Sequence, residues 1–204
     1  MGRVIITIAR GYGSGGKTIG KMLSRELGIS YYDRNLLREA SEDSGIAENL
    51  FGLNDEKVKM RLFKKKPEVS DEPLGPEDDR FVSDDNLFNI QAKKIREIAE
   101  REDCVIVGRC GDYVLRGRDD VIRVFIYAPR KACIKVLMDM YGVSPKEAER
   151  SIEETDRERS TYYKHYTGHE WDDATNYDLC LNSAQLGFEK CVQMIKEYIR
   201  IKNQ

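Results

Sequence analysis

A glycine-rich turn at residues 11–16 constrains this chain more than any other feature of the sequence. Residues 4–9 before the turn are apolar and mostly β-branched, which predicts a buried strand. Residues 18–27 after it place their apolar side chains at helical spacing, and Gly28 follows as a predicted C-cap. A strand, a glycine turn and a helix N-terminus in this order point a set of backbone N–H groups at one place. The sequence therefore predicts a site for an anion, most directly a phosphate.

The turn also matches a specific phosphate-binding pattern. Residues 11–18 agree with GxxxxGK[ST] at every defined position. Lys17 would reach the β- and γ-phosphates of a nucleotide, and the hydroxyl of Thr18 would ligate Mg²⁺. The predicted nucleotide-binding residues are Gly11, Gly13, Ser14, Gly15, Gly16, Lys17 and Thr18.

Strands and helices are predicted to alternate along the rest of the chain. Apolar strands are predicted at residues 29–33, 104–107, 121–128 and 179–181, and helices at residues 87–100, 130–141, 145–159 and 186–201. Strands that are apolar on both faces indicate a parallel sheet covered by helices on each side, an α/β fold of three layers. Such sheets bind ligands at the carboxyl ends of their strands. Asp33, Arg109 and Asn182 all follow predicted strands and are expected at that edge.

Composition excludes several other kinds of protein. The chain has 204 residues and a formal net charge of -2, so attraction to nucleic acid by bulk charge is not expected. No apolar run approaches the roughly 20 residues of a membrane span. The five cysteines are odd in number and form no CxxC pair, which favours a reducing, cytoplasmic setting. The oligomeric state stays open.

The middle of the chain has a different character from its ends. Residues 34–52 are predicted to form a helical lobe, and residues 63–86, rich in proline and acids, a mobile loop. The lysine triplet at 64–66 is interpreted as a solvated turn. Residues 162–176 are polar, aromatic and turn-rich, and are predicted to be a loop.

Three classes of protein use a phosphate loop of this kind, and the remaining residues favour a kinase. A GTPase would carry an NKxD-type guanine-reading segment after a strand, which the sequence lacks. A motor-like ATPase would be longer and would show an apolar strand ending in Asp. A kinase needs arginines that hold the acceptor phosphate and neutralise charge in the transition state. The sequence offers Arg38, Arg109, Arg157 and Arg159.

Several segments, in order and at matching spacing, resemble the cytidylate kinase-like family. They are residues 11–18, Tyr32-Asp33-Arg34, Val107-Gly108-Arg109, Asp156-Arg157-Glu158-Arg159, and Tyr177-Asp178-Leu179 with Asn182-Ser183. The resemblance runs nearly end to end. It implies the fold of phosphate-loop (P-loop) NTPases and a nucleoside-monophosphate kinase that uses ATP and Mg²⁺.

The resemblance also implies three parts and a role for each arginine. A core (1–33, 99–156 and 174–204) would hold ATP, an inserted helical lobe (about 34–98) the acceptor, and a short lid (about 157–173) the lid arginines. Arg109 matches the family's acceptor-phosphate arginine, and Arg157 and Arg159 match its lid arginines. The predicted catalytic residues are Lys17, Arg109, Arg157 and Arg159. The predicted acceptor-binding residues are Asp33, Arg38 and Arg109, and the predicted acceptor is a nucleoside monophosphate such as CMP or dCMP.

The chain departs from the family at one place. The family's Asp-Gly-Arg-Asp reads Val107-Gly108-Arg109-Cys110 here, so both flanking carboxylates are missing. In the family the first organises Mg²⁺ and the second contacts the acceptor nucleoside; Asp33 and Asp112 are the candidates to replace them. Two other readings therefore stay open: a nucleotide-binding regulatory protein without turnover, and a kinase of a non-nucleotide metabolite.

Weaker signals favour structural roles. His165 and His169 are four residues apart, but two histidines make a poor metal site, so surface or lid positions are expected. Tyr162, Tyr163 and Trp171 are expected to pack the lid more than to stack on a base.

Overall fold

One parallel sheet organises the molecule. The computed structural model describes residues 3–53 and 67–204. Its strands are β1 (Ile5–Arg10), β2 (Ser30–Tyr32), β3 (Cys104–Val107), β4 (Val121–Tyr127) and β5 (Leu179–Asn182). They lie in the order β2-β3-β1-β4-β5, and each neighbouring pair is parallel. The strand before the glycine turn is therefore central, with β3 and β4 on either side of it.

Helices connect and cover the strands. They are α1 (Gly16–Leu27), α2 (Asn35–Ser44), α3 (Glu48–Leu53), α4 (Asp84–Arg101), α5 (Gly111–Val114), α6 (Arg130–Tyr141), α7 (Pro145–Thr167), α8 (Ser183–Leu186) and α9 (Phe188–Lys202). A 3-10 turn, Ala174–Asn176, precedes β5. Within the described ranges no helix is long and apolar enough to cross a membrane.

Both faces of the sheet are buried, as the apolar strands predict. Ile6 and Ile8 of β1 pack with α1 and α9 on one face, while Ile5 and Ala9 join a second core with α2, α4 and α7 on the other. Side chains of a strand alternate between faces, so one apolar run supplies both cores. The predicted α/β fold of three layers is confirmed.

Helix α7 is longer than predicted. Its start is as expected, since Ser144 and Glu147 form a capping box and Pro145 occupies the first turn. Its end is not: the prediction stopped at residue 159 and made residues 162–176 a loop, but the helix continues to Thr167. Tyr162 and Tyr166 lie on one helical face and are buried, and Tyr166 stacks on Phe88 of α4 at 4.0 Å between ring centroids. These tyrosines bury one face of the end of α7. The polar residues between them make the same segment look like a loop in the sequence.

The segment before α4 is held by two asparagines of that helix. Asn86 donates to the carbonyl oxygens of Leu74 and Phe81 and accepts from the Leu74 amide. Asn89 accepts from the Ser70 amide and donates to the Glu68 carbonyl. Residues 67–83 contain no regular helix or strand, and these side chains replace the backbone partners that such elements would give. The Lys64-Lys65-Lys66 triplet lies outside the described residues.

Replacing Asn86 by alanine should destabilise the protein. The Asn86 residue is 1% exposed and its side chain makes three hydrogen bonds, so the change leaves partly buried backbone groups of Leu74 and Phe81 without these partners. We expect the free energy of unfolding to fall by about 2–3 kcal/mol, measured by urea denaturation. Asp79→Asn, at an exposed position in the same segment, is the control and should change it by less than about 0.5 kcal/mol. Equal losses for both variants would contradict this role.

Candidate active site

The glycine turn forms an anion-binding loop at the carboxyl end of β1. Gly13 and Gly15 have φ values of 81° and 80°, a left-handed conformation that favours glycine. Gly15 is the N-cap of α1 and offers no side chain there, so the free N–H groups of the first helical turn face the loop. A Cβ on Gly15 would run into the ring of Phe188. These contacts explain why residues 13 and 15 are glycine.

Buried hydroxyl groups hold the loop from beneath. Ser14 donates through Oγ to the carbonyls of Gly11, at 2.8 Å, and Ile126, at 3.0 Å. Ser183, at the end of β5, donates to the Ser14 carbonyl at 2.7 Å. The Gly11 amide donates to Ile126 as well, at 3.0 Å. The loop is thus tied to β4 and to the residue that follows β5.

Lys17 and Asp33 meet at the mouth of the loop. Lys17 Nζ lies 2.7 Å from Asp33 Oδ2, and the Lys17 side chain stays about half exposed. Asp33 follows β2, so the sheet order places it two strands away from the loop. Asp33 and the end of the glycine turn therefore lie at the carboxyl edge of the sheet, where Asp33 was expected. Together with the Thr18 hydroxyl, the Asp33 carboxylate is an oxygen ligand of the kind that Mg²⁺ prefers.

Helix α7 docks on the loop through two side chains. Asp156 Oδ1 accepts from the Tyr12 amide at 2.8 Å, and Arg159 Nη1 donates to the Arg10 carbonyl at 3.1 Å. Burial raises the pKa of Asp156, and the Tyr12 amide and Arg159 oppose that rise. The backbone on both sides of Gly11 is therefore bound by one turn of α7.

Arg109 is presented by an unusual backbone turn. Gly108, Arg109 and Cys110 have φ values of 76°, 62° and 51°, so three successive residues are left-handed. For residues with a Cβ this conformation costs about 1–2 kcal/mol each, and such strain is concentrated at functional sites. Arg109 is 3% exposed, and its Nη1 lies 3.5 Å from Oε1 of Gln91 on α4. The turn thus sends the guanidinium inward, towards α4 and α7.

Three arginines line one small cavity, which we call the arginine cavity. Its volume is about 20 Å³, enough for a water molecule. Arg10, Arg109 and Arg159 line it, and each is at most 7% exposed. Asp112 is the acid in its described lining, and burial raises the pKa of that carboxyl, which accepts from the Tyr163 hydroxyl at 2.6 Å. Positive charge dominates the lining, which suits a phosphate.

Two predicted arginines lie apart from this cavity. Arg38 is exposed on α2 and pairs with Glu42 at 3.8 Å. Arg157 is exposed, whereas Arg159 is buried, because residues two apart on a helix point about 200° from each other. The structure therefore brings together Lys17, Asp33, Arg109 and Arg159 and leaves Arg38 and Arg157 in solvent.

Sequence reasoning assigned no role to Arg10, Gln91 or Asp156. Gln91 is 3% exposed, and its Oε1 faces the Arg109 guanidinium. Asp156 was noted in the resemblance without a role. Arg10 directly precedes the phosphate loop, which was a usable signal. Gln91 gave none, since a glutamine on a predicted helix is ordinary.

The weaker signals resolve into packing. Tyr162, Tyr163 and Trp171 are buried in the core that contains α4. The side chain of His165 is 9% exposed, and its Nε2 lies 3.8 Å from Asp85. In the ranges that the structure covers, no three His, Cys, Asp or Glu side chains group as a metal site.

The chain belongs to the cytidylate kinase-like family, whose family model matches residues 5–185. It is therefore a phosphate-loop kinase, and the family implies ATP and usually Mg²⁺. The two aspartates that the chain lacks around Gly108-Arg109 do not prevent the match.

Individual relatives agree with this assignment. The chain is similar to the cytidylate kinase of Methanopyrus kandleri, with 25% identity over 96% of this chain and 93% of that protein. It is similar to the cytidylate kinase of Pyrococcus horikoshii, with 23% identity over 97% of this chain and 88% of that protein.

Solved structures share the fold. An uncharacterized protein from Eubacterium ventriosum has a TM-score of 0.73 and 26% identity, and the match covers 97% of this chain and 99% of that one. The shikimate kinase of Bacteroides thetaiotaomicron has a TM-score of 0.53 and 17% identity over 97% of this chain and 98% of that one. The latter likeness concerns the fold alone.

A methyl group at Gly15 should destroy the anion site. Gly15→Ala brings a Cβ against the Phe188 ring in addition to the left-handed strain, so we expect ADP affinity to fall by at least about 100-fold. Gly28→Ala is the matched control, because Gly28 also has positive φ, 67°, but has open space around it. It should cost some stability and leave ADP affinity within about threefold. Calorimetric titration measures both, and similar losses would show that backbone strain alone is responsible.

Proposed function

We propose that this kinase transfers the γ-phosphoryl group of ATP to a nucleoside monophosphate, with CMP or dCMP as the first acceptors to test. The observation that carries the proposal is the position of the arginine cavity beside the phosphate loop, with Arg10 and Arg159 shared by both. A donor phosphate on the loop and an acceptor phosphate on Arg109 would then face each other. Such transfer depends on positioning and charge neutralisation more than on covalent chemistry.

The chain's residues divide this work. The loop amides and Lys17 would bind the donor phosphates. Arg109 would grip the acceptor phosphate with its planar fork, and Arg159 would stabilise the negative charge that spreads over the transferred group. Exclusion of water by the buried walls strengthens each of these interactions.

Magnesium fits the oxygen-bearing side chains at the mouth of the loop. Thr18 at the start of α1 and Asp33 beside Lys17 would hold the ion, with nucleotide oxygens and water completing its shell. When bound, Mg²⁺ supplies charge neutralisation at the donor phosphates. Asp33 thereby takes the place of the family carboxylate that is Val107 here.

Acceptor binding requires the arginine cavity to open. A volume of about 20 Å³ does not hold a nucleotide. Tyr162, Tyr163 and Arg159 form the wall that belongs to α7, so this helix would move away from α4 and return when the acceptor is bound. The lid predicted for residues 157–173 would thus be the second half of α7 and the turn after it.

Release of ADP from Mg·ATP tests the proposal directly. CMP, dCMP, the other nucleoside monophosphates and a set of small alcohols serve as acceptors. We expect CMP or dCMP to stimulate ADP release, and Lys17→Ala to reduce it by at least about 100-fold. Tight ATP binding with no stimulation by any acceptor would favour a regulatory protein. Stimulation by an alcohol alone would favour a metabolite kinase.

Two arginines on one helix provide a matched pair. Arg159→Gln removes a buried guanidinium from the site and should lower kcat by at least about 100-fold. Arg157→Gln changes the same charge at an exposed position and should lower kcat by less than about threefold. Steady-state kinetics at saturating ATP and acceptor measure both. A large loss for Arg157→Gln would mean that α7 rotates or unwinds during turnover.

A further inference from the structure

Arg10 lies where the two halves of the proposed site meet. It is the last residue of β1 and 5% exposed. The cavity at the phosphate loop has a volume of about 150 Å³, and Gly11, Gly16 and Lys17 line it. Arg10 lines both that cavity and the arginine cavity. Among the described residues, Arg159 also lines both cavities.

The path of the Arg10 side chain is set by a close approach to the loop. A Cβ on Gly16 would lie 2.5 Å from Arg10 Cβ and 2.9 Å from Cγ. Glycine at position 16 therefore lets the Arg10 stem run directly against the loop. Arg10 ends the central strand and Gly16 begins α1. The turn that connects this strand to this helix therefore holds the two residues in contact.

The charge of Arg10 acts on groups on both sides of it. Burial raises the pKa of Tyr31 to about 12, and Arg10 opposes the rise. Arg10 also opposes the rise in the pKa of Asp156. The guanidinium thus acts between β2 and α7, next to the loop.

We propose that Arg10 is a further catalytic residue, whose guanidinium contacts the γ-phosphoryl group as it passes from donor to acceptor. The inference rests on the proposed function and adds to it a cation that comes from the rigid central strand. Arg159 would approach the same group from the movable side. A cation on the strand holds its position while α7 opens and closes, so the donor phosphate stays neutralised throughout.

A structural role is the alternative, and the two roles predict different binding patterns. If Arg10 contacts the γ-phosphoryl, its loss weakens a nucleotide that has that group and spares one that lacks it. If Arg10 only supports the docking of α7 through Asp156, its loss weakens both nucleotides and lowers thermal stability.

The experiment compares Mg·ADP with Mg·AMP-PNP, a non-hydrolysable ATP analogue, by calorimetric titration of the full chain. Arg10→Gln should weaken AMP-PNP by about 10- to 100-fold, the value of a charge-assisted hydrogen bond, and ADP by less than about threefold. Arg10→Lys keeps the charge and loses the fork, so it should show a smaller loss of the same pattern. Arg150→Gln, an exposed arginine of α7, is the charge-matched control and should leave both affinities unchanged.

Each outcome has a separate meaning. Equal weakening of the two nucleotides by Arg10→Gln, in the pattern that Asp156→Asn should give, would overturn the inference and assign Arg10 a structural role. Unchanged affinity for both would overturn it as well. If Arg10→Gln does not fold, Arg10→Lys decides in the same way. Failure of the proposed function appears elsewhere, as wild-type protein that releases no ADP with any acceptor.

Discussion

Two hydrogen bonds join α7 to the end of β1 and the start of the phosphate loop. The arrangement of the candidate site depends on them. Asp156 binds the amide of Tyr12, Arg159 binds the carbonyl of Arg10, and both backbone groups adjoin the first glycine of the loop. Because the two partners lie on one turn of α7, the helix has a single register on the loop. That register places Arg159 inside and the tyrosines that follow it against α4. The same contacts connect the phosphate loop to α7, the helix that closes the acceptor side in the proposed function.

Concentrated positive charge is the second physical theme. Three buried arginines are costly in a protein interior unless anions are close to them. The strained turn at Gly108-Arg109-Cys110 adds to that cost, and the rigid β3 strand beneath it holds the conformation. Asp112 lies in the same wall, where burial favours its neutral form and Tyr163 donates to it. A phosphate, which is an anion, matches the chemistry of this arginine-lined cavity.

Much of the fold was predictable because local rules and tertiary packing agree along most of this chain. Apolar runs gave the strands, and the glycine loop fixed one strand as a nucleotide-binding strand. Prediction was wrong where burial depends on a distant partner: residues 162–167 read as a polar loop, but their tyrosines pack on Phe88 of α4 and extend α7. In the site, Lys17 was predictable from the phosphate-binding pattern, and Asp33 and Arg109 because they follow strands. Gln91 was not, since its role depends on which face of α4 meets Arg109.

The sequence by itself determined the phosphate loop, the parallel sheet and the family resemblance, because these depend on residue type at short spacing. Only the tertiary structure decided which arginines lie together. The sequence does not distinguish Arg157 from Arg159, yet the docking of α7 buries Arg159 and leaves Arg157 in solvent. Arg10 precedes the phosphate loop in sequence, but its place beside Arg109 and Arg159 became visible only when β1, β3 and α7 were placed together. The reason is that the cluster of positive charge combines residues about 150 positions apart in the chain. The packing between their elements sets its geometry.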